Sequence, residues 1–297
     1  MLVWVGLAAG AQLLTACTVL IDRYVLVSRF YAGRPIVYTF YVSILSGLVL
    51  VLLPFGVAVP SPRLLALSLL VAATFMCALY LFYTALKRGR ASDAAPIVGA
   101  TTALVTSIVG FFILSADLPL AFVPAFALFI VGTFLISRFR LSWRSISLIL
   151  LAGFFFGTSS VLLKVVFQET TFIDGFFWTR MGNVVLALSL LLWPRSREAI
   201  LHSVHKSRPS TKWIIVGNKM LSGVASVMMA LAISLGSVAI VQAMTGMQFA
   251  FLFGLVYVAS YFVPKVFGVE VHRHEFRRKL YGTLCIVFGL VALFIVR

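Results

Sequence analysis

The stretch GFFFGTSSVLLKVVF, residues 153–167, is apolar enough to lie in lipid, yet it carries Lys164. An ammonium group is costly deep in hydrocarbon and cheap near its edge, so the depth of Lys164 decides its meaning. Followed outward to its apolar limits, the run covers roughly 146–167, about the 20 residues that cross a ~30 Å hydrocarbon core as a helix. Lys164 then stands three residues from one end, roughly 4.5 Å deep at 1.5 Å per residue. At that depth it can snorkel to the interface or pair with Glu169 or Asp174, and it is also a candidate ligand contact.

Nine further runs of similar length flank this one, giving spans near 2–21, 35–54, 64–86, 94–114, 119–137, 146–167, 174–193, 213–234, 238–262 and 280–296. Pro54, Pro60, Pro119, Pro194, Pro209, Pro264 and Gly268 punctuate them, as turn residues do. The chain has 297 residues, of which 62% are hydrophobic and 11% charged, against about 25% charged in soluble domains. No soluble fold hides that much apolar surface, so the expected class is an all-α membrane protein of ten helices. The start, MLVWVGLAAG, lacks a charged leader region and reads as the first span. Cys17, Cys77 and Cys285 lie inside apolar runs without paired spacing, which gives no disulfide or metal framework.

A net charge of +16 would suit nucleic acid if it formed a patch, but here it is distributed between the spans. The loops after spans one, three, five, seven and nine hold 3, 3, 3, 5 and 5 Lys or Arg, nineteen in all, and the opposite side holds Arg63 and Arg297. The positive-inside rule therefore places the charged loops in the cytoplasm and both termini outside, with the cell (inner) membrane as the expected location. The remaining basic residues, Lys164, Arg180 and Lys219, fall within spans.

The two halves echo each other. AGAQLLTACTVLIDRY…VLVLLP (9–54) matches the plan of AGFFFGTSSVLLKVV…LSLLLWP (152–194): AG opens a helix, a basic residue follows late in it, and Pro closes the next. ASDAAPIVGATTALVTSIVG (91–110) lies over GSVAIVQAMTGMQFAFLFG (236–254) with small residues every four. Repeats of five spans, 1–138 and 145–297, insert in opposite orientations because five is odd, a common plan of secondary transporters.

On these features the chain resembles the drug/metabolite transporter superfamily, in its EamA type with ten helices. The resemblance rests on Arg23 after Asp22, Lys164, Arg180 in span seven, YLFYTALKRGRASDAAPIVG (80–99), and the glycine-containing IVGTFLIS (130–137) and IVFGLVALF (286–294). It covers essentially the whole chain and lies in the order of short motifs. The family pattern has Glu at the ends of spans four and nine, where this chain has Asp117 and no acid near Pro264. Many members also begin in the cytoplasm, opposite to the orientation that the charges give here. The resemblance implies a small organic substrate: an amino acid, a nucleotide sugar, a phosphorylated metabolite or an amphipathic drug.

Candidate substrate contacts follow from polar groups at membrane depth. Arg180 and Lys219 each lie six residues inside their spans from opposite faces, about 9 Å deep. Exposure to lipid there costs at least ~2 kcal/mol, so both should face the protein interior. Asn183 is one turn from Arg180, and Asn218, Ser222 and Ser226 flank Lys219. Span nine adds Gln242, Thr245 and Gln248 on one face. Thr102 of span four, Tyr80 and Tyr83 of span three, and Lys164 complete the candidate set. The alternative for the cations is hydrogen bonding to backbone carbonyls, and for the small-residue stripes it is close helix packing.

His202, His205, His272 and His274 sit in loops and read as solvated charge. The run HRHEFRRK (272–279) reads as topology signal and anionic-lipid contact. No nucleophile elbow, zinc-protease motif or phosphate-binding glycine loop is present. The expectation is therefore a transporter without catalytic residues, cofactor or metal, moving a small anion or zwitterion between the repeats. No Asp or Glu is expected deep in any span, which favours a facilitator or exchanger over a proton-driven pump. The alternative is a lipid or lipid-carrier flippase, or a multidrug exporter, on the same fold. Expected partners are the small-molecule substrate and membrane lipids, not nucleic acid, with the chain a monomer or homodimer.

The topology is directly testable. With Ser207→Cys in the loop 195–212, an impermeant maleimide should label broken cells and not intact ones. Labelling from outside would reverse the orientation.

Overall fold

The computed structural model describes residues 2–27, 34–88, 91–115, 122–136, 143–206 and 209–262, with scattered positions between 277 and 289. The expected tenth span (280–296), the basic run 272–279 and Asp117 lie wholly or largely outside the described residues. Among the described residues the chain is helical throughout, without a strand. In chain order the helices are α1 (Leu2–Val27), α2 (Pro35–Leu45), α3 (Pro62–Arg88), α4 (Ala91–Leu114), α5 (Phe122–Ile136), α6 (Trp143–Glu169), α7 (Phe172–Ser189), α8 (Pro194–Lys206), α9 (Pro209–Leu235), α10 (Val238–Ala243) and α11 (Thr245–Phe262). The chain runs on from α2 as a 3-10 helix, Ser46–Phe55, which ends at Gly56 with φ +84°, a left-handed turn open to glycine.

Eight described segments are long and apolar enough to cross a membrane, from Val3–Leu26 to Val238–Phe262. The chain is thus an all-α membrane protein. The described part of α5, 15 residues, extends about 22 Å. Side chains such as Val51, Phe112 and Phe262 are exposed on the bundle surface, where lipid rather than water satisfies them.

Local sequence explains where the helices begin. Pro35, Pro62, Pro194 and Pro209 stand at first helical positions, where the missing N–H costs nothing. α7 starts at an N-cap, Thr171. Thr171 Oγ1 accepts the Asp174 N–H at 3.2 Å and donates to Asp174 Oδ2 at 2.7 Å. The other Asp174 oxygen accepts the Ala58 N–H at 2.8 Å, so the turn after Gly56 is pinned to the start of α7.

Two elements differ from expectation. α1 continues to Val27 instead of ending near residue 21, because Asp22 and Arg23 find polar partners on neighbouring helices and need not leave the bundle. The segment 194–206, expected within a loop, is the amphipathic helix α8. Its Ile200 is buried against Val37, Phe40 and Ala187, while Arg195, Arg197 and Glu198 face outward. The short length and dense charge of α8 mask that periodicity in the sequence.

In the bundle α3 and α4 both lie along α6, α1 lies along α9, and α4 also meets α10 and α11. Gly153 and Gly157, both in the GFFFG of the opening stretch, set the α4–α6 spacing. A methyl group on Gly157 would lie 2.8 Å from Val105 Cβ and 2.9 Å from the Thr102 carbonyl oxygen. Backbone cannot swing aside, so the helices would have to part. Gly157→Ala should cost roughly 1–3 kcal/mol through overpacking and lower the apparent melting temperature of the purified protein. Gly223→Ala on α9, with nothing within 4 Å of the added methyl, should not.

Candidate functional site

Four helices bring polar side chains together near the ends that lead into residues 28–34 and 89–90. Asp22 of α1 is buried, and its Oδ1 accepts from Lys219 Nζ at 2.9 Å, from Asn218 Nδ2 at 2.6 Å and from the Tyr38 hydroxyl. Asn218 and Lys219 are consecutive on α9, and both reach the same carboxylate. Lys219 Nζ also lies 4.7 Å from the Tyr38 ring centre and 5.8 Å from that of Tyr83. Those two rings meet edge to face at 4.8 Å. The ammonium is therefore held by one carboxylate and two aromatic faces, a combination that compensates a desolvated cation.

This cluster corrects one expectation, since a buried carboxylate does lie within a membrane-spanning helix, where it is the acidic partner of Lys219. The partner is 197 residues away in sequence, and only the packing of α1 along α9 brings it near. Because the pair is neutral overall, Lys219 adds little net positive potential to the bundle.

Arg180 is different. Its Nη2 donates to Ser226 on α9, and its guanidinium carbon lies 4.9 Å from the Phe176 ring centre and 5.7 Å from that of Phe75. Nε is buried without a hydrogen-bond acceptor, and Asn183 Oδ1, one turn further along α7, is buried without a donor. Among the described residues Arg180 forms no ion pair. Ser226 is seven residues beyond Lys219, two turns on the same face and about 10.5 Å along the axis. The two candidate cations thus share α9 as a common wall, and the uncompensated charge is Arg180.

Lys164 has neither of the acidic partners considered for it. Its Nζ donates to the carbonyls of Ile233 at 2.9 Å, Ser234 at 3.0 Å and Gly236 at 3.0 Å, closing the C-terminus of α9. A cation at a helix C-terminus satisfies orphan carbonyls and opposes the helix dipole. Glu169 pairs instead with Arg63 at 2.6 Å. Arg23 treats α3 in a similar way, with its Nη1 donating to the carbonyl of Leu86 in the last turn.

The remaining candidates are distributed. Gln242 Nε2 donates to Ser160 Oγ of α6 at 2.7 Å, and Thr245 Oγ1 accepts from Gln12 of α1 at 3.2 Å. Both bonds sit beside the interruption between α10 and α11 at Met244. Gln248 is buried, Thr102 bonds back to the Val98 carbonyl at 2.8 Å, and Tyr83 is buried in the Asp22 cluster. Tyr80 is 42% exposed on the outer surface of α3, away from the cluster. Sequence reasoning missed Asp22, Tyr38, Gln12 and Ser160 as members of this interior. Gln12 was visible as an amide deep in an apolar run, whereas Asp22 sat just beyond the apparent end of one.

No family model matches the chain, and no curated protein matches it. Among solved structures, one described as "Crystal structure of protein" superposes with a TM-score of 0.62 at 12% identity, covering 97% of this chain and 99% of that one. At that identity the likeness is one of fold.

Removing the cap should weaken the bundle. Lys164→Met strips three bonds from the end of α9 and should cost on the order of 2 kcal/mol, read as a lower melting temperature. Lys164→Arg, which keeps donors and charge, should recover part of the loss. Equal stability of the Met variant and the parent would mean that the cap is idle.

Proposed function

We propose that the chain is a secondary transporter of the EamA type, moving a small organic anion or zwitterion through the bundle by alternating access. The observation that carries this reading is Arg180, a partly buried cation between two phenylalanine faces with no acidic partner among the described residues. Lys219 is neutralised by Asp22 and Lys164 is taken up by helix-end carbonyls, whereas Arg180 keeps an Nε without an acceptor. A charge left open at membrane depth marks a place where a complementary charge arrives. The unpartnered Asn183 Oδ1 nearby adds an acceptor for an ammonium or hydroxyl of the same molecule.

The inverted plan of two five-helix repeats, 1–138 and 145–297, is part of the reading. The third long helix of the first half, α3, lies along α6, the first of the second half. Reciprocally, α9 lies along α1. The cations correspond as well: Arg23 late in α1 caps α3, and Lys164 late in α6 caps α9. Exchange symmetry of this kind is what two copies in opposite orientation produce. The charged loops then face the cytoplasm from the cell membrane, with lipid around the bundle and the substrate as partner.

Purified protein tests the reading. A panel of organic carboxylates and phosphate esters, each beside its neutral amide or alcohol, should contain anions that raise the melting temperature by mass action. Arg180→Gln should remain folded and lose that stabilisation. If no anion stabilises the parent more than its neutral analogue does, or if the Gln variant responds unchanged, the anion reading fails.

A further inference from the structure

We propose that the Asp22–Lys219 pair is a lock that holds the charged-loop end of the bundle shut, with Asp22 occupying Lys219 as an internal counter-anion. This rests on the transporter reading for its purpose, but not for its test. The pair joins α1 in the first half of the chain to α9 in the second, so any separation of the halves at this end must break it. Its place near the loop end follows from its neighbours. Asp22 lies in the last turns of α1, Tyr38 in the first turn of α2 and Tyr83 in the last turns of α3. All three lie in the parts of their helices nearest residues 28–34 and 89–90 in the chain.

The groups that face Asp22 are Lys219 and Asn218 from α9, Tyr38 from α2 and the Tyr83 hydroxyl from α3. Tyr83 of α3 packs against the Tyr38 ring, and Arg23 is turned to the end of α3. The Asp22 and Lys219 side chains are 7% and 5% exposed. At the other end of the bundle the ion pair Arg63–Glu169 has an arginine that is 78% exposed. A solvated pair contributes little and is easily exchanged with water. A buried pair whose partners separate leaves two bare charges, a strong penalty. The closed arrangement at the loop end is thus held by a discrete contact with two states, made or broken.

The pair also sets the order of events. While Asp22 holds Lys219, an anion at Arg180 two turns along α9 finds one cation and not two. When the halves part, Lys219 becomes available to the anion, and the anion takes the place that Asp22 leaves. Differential binding to the parted state is what a ligand needs to shift the equilibrium.

Ser222 stands one turn beyond Lys219 toward Arg180, on the inner side of the lock, and reports on it without any substrate. In a background with Cys17, Cys77 and Cys285 replaced by serine, Ser222→Cys is exposed to a sulfonated maleimide applied to inside-out vesicles. With the pair intact, labelling should be slow. The neutral double variant Asp22→Asn/Lys219→Met buries no lone charge, elutes as folded protein, and should label about 10-fold faster or more. The swap Asp22→Lys/Lys219→Asp should restore protection. Unchanged labelling in the neutral variant overturns the lock, and so does a folded swap that labels as fast as the neutral variant. Either result leaves the anion-dependent stabilisation through Arg180 to be judged on its own measurement.

Discussion

A bilayer offers no water to a buried donor or acceptor, so each polar group inside this bundle must find its partner within the chain. Asp22 is where that constraint acts most strongly. Its carboxylate gathers an ammonium, an amide and a phenol from two other helices onto one oxygen. Those donors fix the relative position of α1, α2 and α9, while the Tyr38–Tyr83 contact draws in α3. Remove the carboxylate, and Lys219 and Asn218 are left facing a low-dielectric interior that cannot repay their desolvation.

The same constraint sorts the other cations by task. Lys164 satisfies carbonyls that α9 cannot bond internally, and Arg23 donates to one at the end of α3. Lys219 is accounted for by Asp22. Arg180 is satisfied in part, by Ser226 and two aromatic faces, and keeps an unpartnered Nε. The difference matters because an unsatisfied charge is the one feature of a membrane interior that packing alone does not justify. Arg180 of α7 and Lys219 of α9 thus both meet partners at α9, but only Lys219 meets an acid among the described residues.

Close packing and polarity also divide along the sequence. α6 meets α4 through Gly153 and Gly157, which lie close against Thr101, Val105 and the carbonyls of Val98 and Thr102. On the way to its end the same helix presents Ser160 to Gln242 and then Lys164 to the end of α9. One helix thus serves as both a rigid crossing and a polar link to the interrupted pair α10 and α11. An interruption tied at both sides, by Gln242 to α6 and Thr245 to α1, is a place where the backbone can adjust while its neighbours hold.

The sequence by itself determined the solvent and the elements. Apolar runs of spanning length, separated by proline and by basic clusters, allow only helices in lipid, and a helix needs nothing beyond its own residues to bond its backbone. The positions of Arg180 and Lys164 along their helices were legible for the same reason, since rise per residue converts sequence separation into distance. Partnership was not. Asp22 and Lys219 are separated by most of the chain, and Asp22 lay past the apolar limit that defined its span, so sequence left it in a loop. Lys164 had acids close by in sequence, yet it bonds carbonyls that become available only when α9 ends beside it. α8 was lost between charges because its apolar face is short and needs α2 and α7 to bury it. What a residue is appears in the sequence; which unmet hydrogen bond it answers depends on the helices that the tertiary structure places within about 3 Å, the reach of a hydrogen bond.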